Sequence, residues 1–181
     1  MRLIEAKEAD QFQQVEQLYM VSFPECERKT FSIILEKNQQ NLVDIWIIEE
    51  KNEFCGLVIT MKHQDLVLID YFAISPEKRG RGYGSLALEL ITNKYWDSRV
   101  FLEIESTGIP SENLEERQNR KQFYLKNGLQ ELGMETLVFE TIFEVLTFRE
   151  EISYEEYWSV YAGVYGEEKA TKVQLISRKD V

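Results

Sequence analysis

One segment constrains the fold more than any other, because an apolar strand pattern leads through glycines directly into a helix pattern. The strand is Leu66–Ile74, which is almost entirely β-branched, aromatic or otherwise apolar. Gly80, Gly82 and Gly84 follow, and residues 82–95 then repeat apolar side chains at helical spacing. The first N–H groups of a helix lack intrahelical acceptors, and the helix dipole places positive potential there. The segment therefore predicts an anion site where a strand enters a helix.

The spacing of the glycines restricts which phosphate ligand could bind. A nucleotide-binding P-loop needs a lysine after its last glycine, and none follows here. A dinucleotide fingerprint needs a third glycine where this chain has Ser85. The pattern that fits is Arg-x-x-Gly-x-Gly, formed by Arg79, Gly82 and Gly84, with Arg81 as a second cation suited to phosphate oxygens. For these six residues alone, a tight turn without a ligand is the alternative.

The rest of the chain alternates between helical and strand periodicity. Before the glycine-rich segment, the patterns predict helices over 10–23 and 30–37 and strands over 43–48 and 54–61. After it, they predict a strand over Arg99–Glu105, a helix over 111–126 with Ser111 as its N-cap, and strands within 131–148. Ser153 and Glu156 form a capping box that opens an aromatic-rich helix ended by Gly166. The predicted fold class is mixed α/β, with helices on the faces of one sheet.

The charge composition argues against one class of function. The chain carries 21 Lys and Arg against 32 Asp and Glu, a formal net charge of −11. This argues against nonspecific nucleic-acid binding, which needs clustered cations. It is compatible with a cationic substrate, and equally with an acidic surface that keeps the protein in solution.

Three further features concern the cellular compartment. Cys26 and Cys55 have neither zinc-binding nor disulfide-scaffold spacing. No apolar run approaches the ~20 residues of a membrane span, and the N-terminus lacks a signal-peptide pattern. We expect a cytoplasmic protein that binds no metal, no nucleic acid and no membrane.

Two motifs carry a resemblance to a known family. Residues 69–85 resemble motif A of the GNAT superfamily of N-acetyltransferases, and residues 122–129 resemble its motif B. The order of the predicted elements is also similar, so the resemblance covers residues 1–148. It implies a catalytic domain over 1–148, with 149–181 as an aromatic-rich helix and tail packed on the same domain. It also implies a mostly antiparallel GNAT-like sheet with a V-shaped splay between the strands Leu66–Ile74 and Arg99–Glu105.

The resemblance implies acetyl-CoA as co-substrate. The pantetheine arm would pair with the backbone at Phe72, Ala73 and Ile74. The pyrophosphate would rest on the N–H groups of the glycine-rich segment, whose residues are Arg79, Gly80, Arg81, Gly82, Tyr83, Gly84 and Ser85. A strand edge left unpaired at a splay has free N–H and C=O groups for such an arm.

Acetyl transfer to an amine requires that the ammonium lose a proton and that the departing thiolate gain one. Tyr124 occupies the motif B position that the resemblance assigns to the acid; simple packing is the alternative role. Asp70, Glu103 and Glu105 are the candidates for the base, and period-two alternation places the last two on one face of their strand. For each of them an exposed carboxylate without a role is the alternative. His63, beside a predicted turn, is expected at the surface.

The helix of motif B departs from the family pattern, because Arg117 and Arg120 stand where small or amide residues are usual. They could grip CoA phosphates or a substrate carboxylate. Pairing with carboxylates on the preceding turn is favoured, the candidates being Glu112, Glu115 and Glu116. The tyrosines and Trp158 of the C-terminal helix have helical spacing, for which core packing or a contact in a homodimer is favoured over a substrate box.

The function that follows is an N-acetyltransferase that moves the acetyl group of acetyl-CoA to a primary amine by direct attack in a ternary complex. The acceptor is a small-molecule or peptide amine that the sequence does not identify. The alternative is a non-catalytic acyl-CoA-binding sensor or partner-binding module on the same fold. A nucleotide-dependent oxidoreductase is a distant third.

Overall fold

The computed structural model describes residues 1–178, apart from the side chain of Cys26. Within this range eight strands belong to one sheet: β1 (Arg2–Glu5), β2 (Val43–Glu50), β3 (Glu53–His63), β4 (Leu66–Ile74), β5 (Arg99–Glu105), β6 (Gln130–Val138), β7 (Thr141–Thr147) and β8 (Val173–Arg178). The helices are α1 (Ala9–Ser22), α2 (Phe31–Gln39), α3 (Tyr83–Lys94), α4 (Leu114–Lys126), α5 (Tyr154–Tyr165) and the short α6 (Glu167–Ala170). The predicted mixed α/β class with a mostly antiparallel sheet is confirmed.

The chain divides into two compact units. The first comprises residues 1–62 and 69–96, with the strand order β1-β2-β3-β4. The second comprises residues 63–68 and 97 onwards, with the order β5-β7-β6-β8. The pairings of β1 with β2, β2 with β3, β5 with β7, β6 with β7 and β6 with β8 are all antiparallel. The proposed boundary at residue 148 and the splay stay predictions.

The close approach of two strands explains a glycine inside β3. A Cβ atom at Gly56 would lie 2.3 Å from the carbonyl oxygen of Ala73 in β4. Real Cβ atoms do not come so near to a backbone oxygen, so only glycine lets β3 lie against this part of β4. The contact fixes the end of β4, from which the glycine-rich segment departs.

The predicted helices and strands are present with small shifts at their ends. The shift at the start of α4 matters most, because this helix carries Tyr124, Arg117 and Arg120. The helix begins at Leu114 after Asn113, and not at the predicted cap Ser111. Residues 111–114 form a turn closed by the Leu114 N–H on the Ser111 carbonyl, at 3.3 Å. Ser and Asn are both good N-caps, so the sequence did not rank them; here the Asn113 side chain is held by Arg117 at 2.8 Å.

The C-terminal region contains two elements that the periodicity did not predict, α6 and β8. Antiparallel pairing holds β8 to β6, for example Leu137 opposite Gln174, and a register irregularity lies between Glu135 and Thr136. The strand is short and mostly exposed, so it lacks the alternating apolar pattern that would have revealed it. No helix within residues 1–178 has the length and apolar character needed to cross a bilayer.

Candidate active site

The glycine-rich segment has the backbone conformation that its glycines suggested. After β4 the chain makes one 3₁₀ turn over Pro76–Lys78. Gly80 and Gly82 then have φ angles of +72° and +77°, in the left-handed region that glycine adopts readily. Nothing lies within 4 Å of a Cβ built at either position. The two glycines are therefore required by the backbone angles, and the space beside the backbone is open.

The N-terminus of α3 is left uncapped by the protein. Gly82 is its N-cap residue and supplies no side chain, and the first turn carries no acidic residue. The helix ladder starts with the Leu86 N–H on the Gly82 carbonyl, at 3.2 Å. The preceding N–H groups therefore have no intrahelical acceptor. Such a helix start favours an anion such as a phosphate.

Three cations precede this helix start in the sequence, and only one of them forms an ion pair with a described residue. Lys78 forms an ion pair with Glu53. The Arg79 Nε donates to the Ile74 carbonyl at 3.0 Å, which folds the guanidinium back over the end of β4. Arg79 and Arg81 are exposed and form no ion pair with residues 1–178. Their charge is available to phosphate oxygens.

Tyr124 lies near the C-terminal end of α4, with 8% of its surface exposed. Its ring packs on Phe123, with 5.3 Å between the ring centroids. Burial raises the pKa of Tyr124 to about 12, and the nearby charge of Arg120 opposes the shift. The phenol is consequently protonated at neutral pH, so its O–H is available as a hydrogen-bond donor there.

Asp70, the candidate base on β4, already binds an ammonium group. The Lys29 Nζ lies 2.6 and 2.8 Å from its two oxygens, and 5% of the Asp70 side chain is exposed. Lys29 also lies over the Tyr71 ring, 5.1 Å from its centroid. The Tyr71 hydroxyl donates to the Glu27 carbonyl at 2.9 Å. Nothing in the sequence indicated that Lys29 would pair with Asp70. Together these contacts hold the connection between α1 and α2 against β4.

Glu103 on β5 accepts hydrogen bonds from the hydroxyl groups of Tyr157 and Tyr161 in α5. Both tyrosines are buried, and Tyr157 also lies 3.0 Å from the Thr136 hydroxyl. Burial and the charge of Glu103 raise the pKa of Tyr157 well above its usual value. The helix spacing predicted core packing for these rings, but it did not predict that they would satisfy a carboxylate.

Glu105, two residues further along β5, is 5% exposed and binds both arginines of α4. Its oxygens lie 2.5 Å from the Arg117 Nη2 and 3.4 Å from the Arg120 Nη1. The expected pairing of these arginines with Glu112, Glu115 or Glu116 is therefore wrong. Those three glutamates are exposed and can stay in water, whereas a buried carboxylate on a strand costs free energy unless it is paired.

His63 is half-buried, and the expectation of a surface histidine is wrong. It ends β3 beside the turn, as predicted, but its ring packs on the backbone of α5. A Cβ at Gly163 would lie 2.3 Å from the His63 Nδ1. Only the tertiary fold brings these two residues together, and the missing side chain at Gly163 makes room for the ring.

The sheet and the helices define a mixed α/β protein, and the first turn of α3 has neither a side-chain cap nor an acidic residue. The family profile described as an acetyltransferase (GNAT) domain matches residues 41–131, half of the chain. The chain therefore belongs to the GNAT acetyltransferase family. The matched range includes both resemblance motifs, the glycine-rich segment and Tyr124.

Solved structures share this fold. A protein from Bacteroides thetaiotaomicron assigned to the GNAT family has a TM-score of 0.77 at 20% identity, over 92% of this chain and 99% of that one. An aminoglycoside 6′-N-acetyltransferase complexed with coenzyme A has a TM-score of 0.66 at 12% identity, over 84% and 100%. A spermidine N-acetyltransferase from Vibrio cholerae has a TM-score of 0.64 at 13% identity, over 82% and 94%. No curated protein matches the sequence significantly.

Proposed function

We propose that this protein is an N-acetyltransferase that transfers the acetyl group of acetyl-CoA to a primary amine by direct attack in a ternary complex. The observation that carries the proposal is the uncapped start of α3, where Gly82 has a left-handed φ of +77° and the space beside it is open. This geometry suits a pyrophosphate on backbone N–H groups. A solved structure of the same fold contains coenzyme A, according to its own description.

The proposed co-substrate site uses residues from β4 through the first turn of α3. The backbone of Phe72, Ala73 and Ile74 would hold the pantetheine arm, and residues 79–85 would hold the pyrophosphate. The exposed Arg79 and Arg81 suit this task, because a guanidinium presents several donors to phosphate oxygens. Lys78 is already paired with Glu53 and is left out of the site.

In the reaction the amine nitrogen attacks the thioester carbonyl, a C–N bond forms, and the C–S bond breaks. The nitrogen loses its proton and the thiolate gains one, so the balance needs no other reactant. We assign Tyr124 to the leaving sulfur. With a pKa of about 12, Tyr124 is a weaker acid than a thiol of pKa about 8.5, a gap of roughly 5 kcal/mol. Tyr124 therefore acts mainly as a hydrogen-bond donor to the developing thiolate, while the proton comes from the amine.

Asp70, Glu103 and Glu105 stay our candidates for the group that removes this proton. Each is engaged by a partner: Asp70 by Lys29, Glu103 by two tyrosines and Glu105 by two arginines. A carboxylate stabilised by donors is a weak base. Proton removal through water near one of them is consequently the form of general base catalysis that we propose.

The acceptor class is supported by the activities named for proteins of the same fold. One is an aminoglycoside N-acetyltransferase, one a spermidine N-acetyltransferase, and one acetylates an alanine of ribosomal protein S18. All three acceptors are amines, and they differ greatly in size. For this chain we propose only that the acceptor is an amine. We place the reaction in the cytoplasm because both cysteines lack disulfide-scaffold spacing.

A screen of primary amines with acetyl-CoA, followed by the release of free CoA thiol, tests the proposal. Amine-dependent release, with the acetylated amine detected by mass spectrometry, is the expected result. Saturable binding of acetyl-CoA without release for any amine would contradict it and would favour a non-catalytic sensor.

A further inference from the structure

Arg120 has fewer partners than Arg117, the other arginine of α4 that contacts Glu105. Arg117 is 16% exposed and binds Glu105, the Asn113 side chain and the Ser106 carbonyl. Arg120 is 44% exposed, and its contact within residues 1–178 is a single 3.4 Å approach to Glu105. An arginine has five N–H donors. Most of those on Arg120 are therefore open to a ligand.

The two arginines carry more positive charge than their carboxylate partner neutralises. Arg117 and Arg120 share one carboxylate, that of Glu105. One positive charge therefore remains on this pair of guanidinium groups, in a protein whose formal net charge is −11. The neighbouring Lys121 is bound by two carboxylates, Glu131 and Glu144, so the excess positive charge is confined to the arginines. A local cation on an acidic protein selects against cationic ligands at that point and in favour of anionic ones.

Arg120 lies beside the proposed reaction centre. Residues 120 and 124 are one turn apart on α4, so their side chains are neighbours on the same face. The charge of Arg120 reaches Tyr124 strongly enough to oppose the effect of burial on its pKa. A ligand bound to Arg120 would consequently be close to the phenol.

The carboxylates that could attract a cationic acceptor are already used. Lys29 occupies Asp70 on both oxygens, two tyrosine hydroxyls satisfy Glu103, and two guanidinium groups bind Glu105. An incoming ammonium would have to displace one of these partners. The acidity of the three side chains therefore does not provide a ready site for a diamine or polyamine.

We propose that Arg120 binds a carboxylate of the acceptor, so that the substrates are amines that also carry a carboxylate, such as free amino acids. This inference rests on the proposed N-acetyltransferase function. A guanidinium and a carboxylate pair through two parallel N–H···O bonds, which fixes the orientation of the acceptor as well as its affinity. The amine of such an acceptor is then held at a fixed distance from the Arg120 guanidinium. A diamine of the same length has no carboxylate for this pairing, and its second ammonium group is repelled by the guanidinium.

The test compares each of a panel of amino acids with its own amide, which differs only at the carboxylate. We expect the free acid to have the higher kcat/KM in the parent enzyme. Arg120→Gln should lower kcat/KM for the acid by about 10- to 100-fold, the range for a hydrogen-bonded charge, and leave the amide little changed. The loss should lie mainly in KM. Arg120→Lys, which keeps the charge but not the two-pronged geometry, should fall between.

Lys126→Gln is the matched control, because Lys126 is an exposed cation on the same helix without an ion pair in the described residues. It should leave the acid-to-amide ratio unchanged. Acetyl-CoA should still raise the unfolding temperature of Arg120→Gln, which shows that the variant is folded.

The outcomes separate the two proposals. If no amine, acid or amide releases CoA, the N-acetyltransferase function itself is contradicted. If CoA is released but Arg120→Gln leaves the acid-to-amide ratio unchanged, only the role of Arg120 is overturned. A carboxylate could also arrive on the acyl group, so succinyl-CoA is tested beside acetyl-CoA. A higher kcat/KM with succinyl-CoA that Arg120→Gln abolishes would place the carboxylate on the donor and overturn the assignment to the acceptor.

Discussion

At the scale of single residues, the chemistry depends on how the fold has treated each titratable group. Tyr124 is buried next to a guanidinium, with a pKa of about 12. Asp70, Glu103 and Glu105 each accept hydrogen bonds or ion pairs from neighbouring side chains. By sequence alone the three carboxylates are equivalent candidates for the base. In the folded protein they differ, because each has different hydrogen-bond or ion-pair partners.

Removal of the Tyr124 hydroxyl tests the assignment of this residue. Tyr124→Phe keeps the ring in its buried position, so we expect acetyl-CoA affinity to be unchanged while kcat falls by about 10²-fold, the scale of one general acid or donor. Steady-state kinetics with varied acetyl-CoA measure both quantities. A kcat within about twofold of the parent would show that water or another group serves the leaving sulfur.

The pH dependence follows from the direction of the pKa shift. Because the pKa of Tyr124 is raised to about 12, the phenol keeps its proton through the whole range in which the enzyme can be assayed. We expect kcat to rise with pH as the bound ammonium becomes easier to deprotonate, and then to stay level up to about pH 10. A falling limb near pH 9 that disappears in Tyr124→Phe would contradict this.

At the scale of elements, the start of α3 and the strand before it act together. β4 ends against β3 at Gly56, where the Ala73 carbonyl leaves no room for a side chain. The chain then turns through two left-handed glycines and begins α3 without a cap. The fold thus places N–H groups without intrahelical acceptors just after a well-packed strand, which is the arrangement that the proposed pyrophosphate site requires.

Gly82→Asn separates backbone conformation from ligand binding at this site. Asparagine tolerates a left-handed φ better than other residues with a side chain, and its Cβ would meet nothing within 4 Å. We therefore expect the unfolding temperature of the variant to lie within about 2 °C of that of the parent. The new side chain would occupy the phosphate position, so the thermal shift by acetyl-CoA should be lost.

The matched control is Gly128→Asn, where φ is +90° and the space is equally open, at the end of α4. It should keep the acetyl-CoA shift. If Gly82→Asn keeps it as well, the pyrophosphate does not bind at the start of α3.

At the scale of the whole molecule, the co-substrate should stabilise the native state. A ligand that binds only the folded protein adds about 2.7 kcal/mol at a concentration 100 times its Kd. For a chain of this size, each kcal/mol raises the unfolding temperature by about 2–4 °C. Acetyl-CoA should therefore raise it by roughly 5–10 °C, as measured by calorimetry. NAD at the same concentration should have no effect; an equal shift would revive the oxidoreductase alternative.

The sequence by itself determined most of the elements and the family to which the chain belongs. A continuous apolar run placed β4 to the residue, and alternation placed β5 to the residue. The capping box of Ser153 and Glu156 placed the start of α5. The glycine spacing indicated the left-handed turn before α3. These features are local: backbone conformation and amphipathic pattern depend on neighbours within a few residues, so they can be read along the chain.

The tertiary structure alone decided which charges meet. Lys29 with Asp70, Tyr157 with Glu103 and Arg117 with Glu105 join residues that are 12 to 54 positions apart, a separation on which periodicity carries no information. The error over Arg117 and Arg120 arose here, because helix spacing favoured carboxylates one turn away. Burial settled the matter: an unpaired carboxylate at Glu105 would be costly inside the protein, whereas Glu112, Glu115 and Glu116 can stay in water.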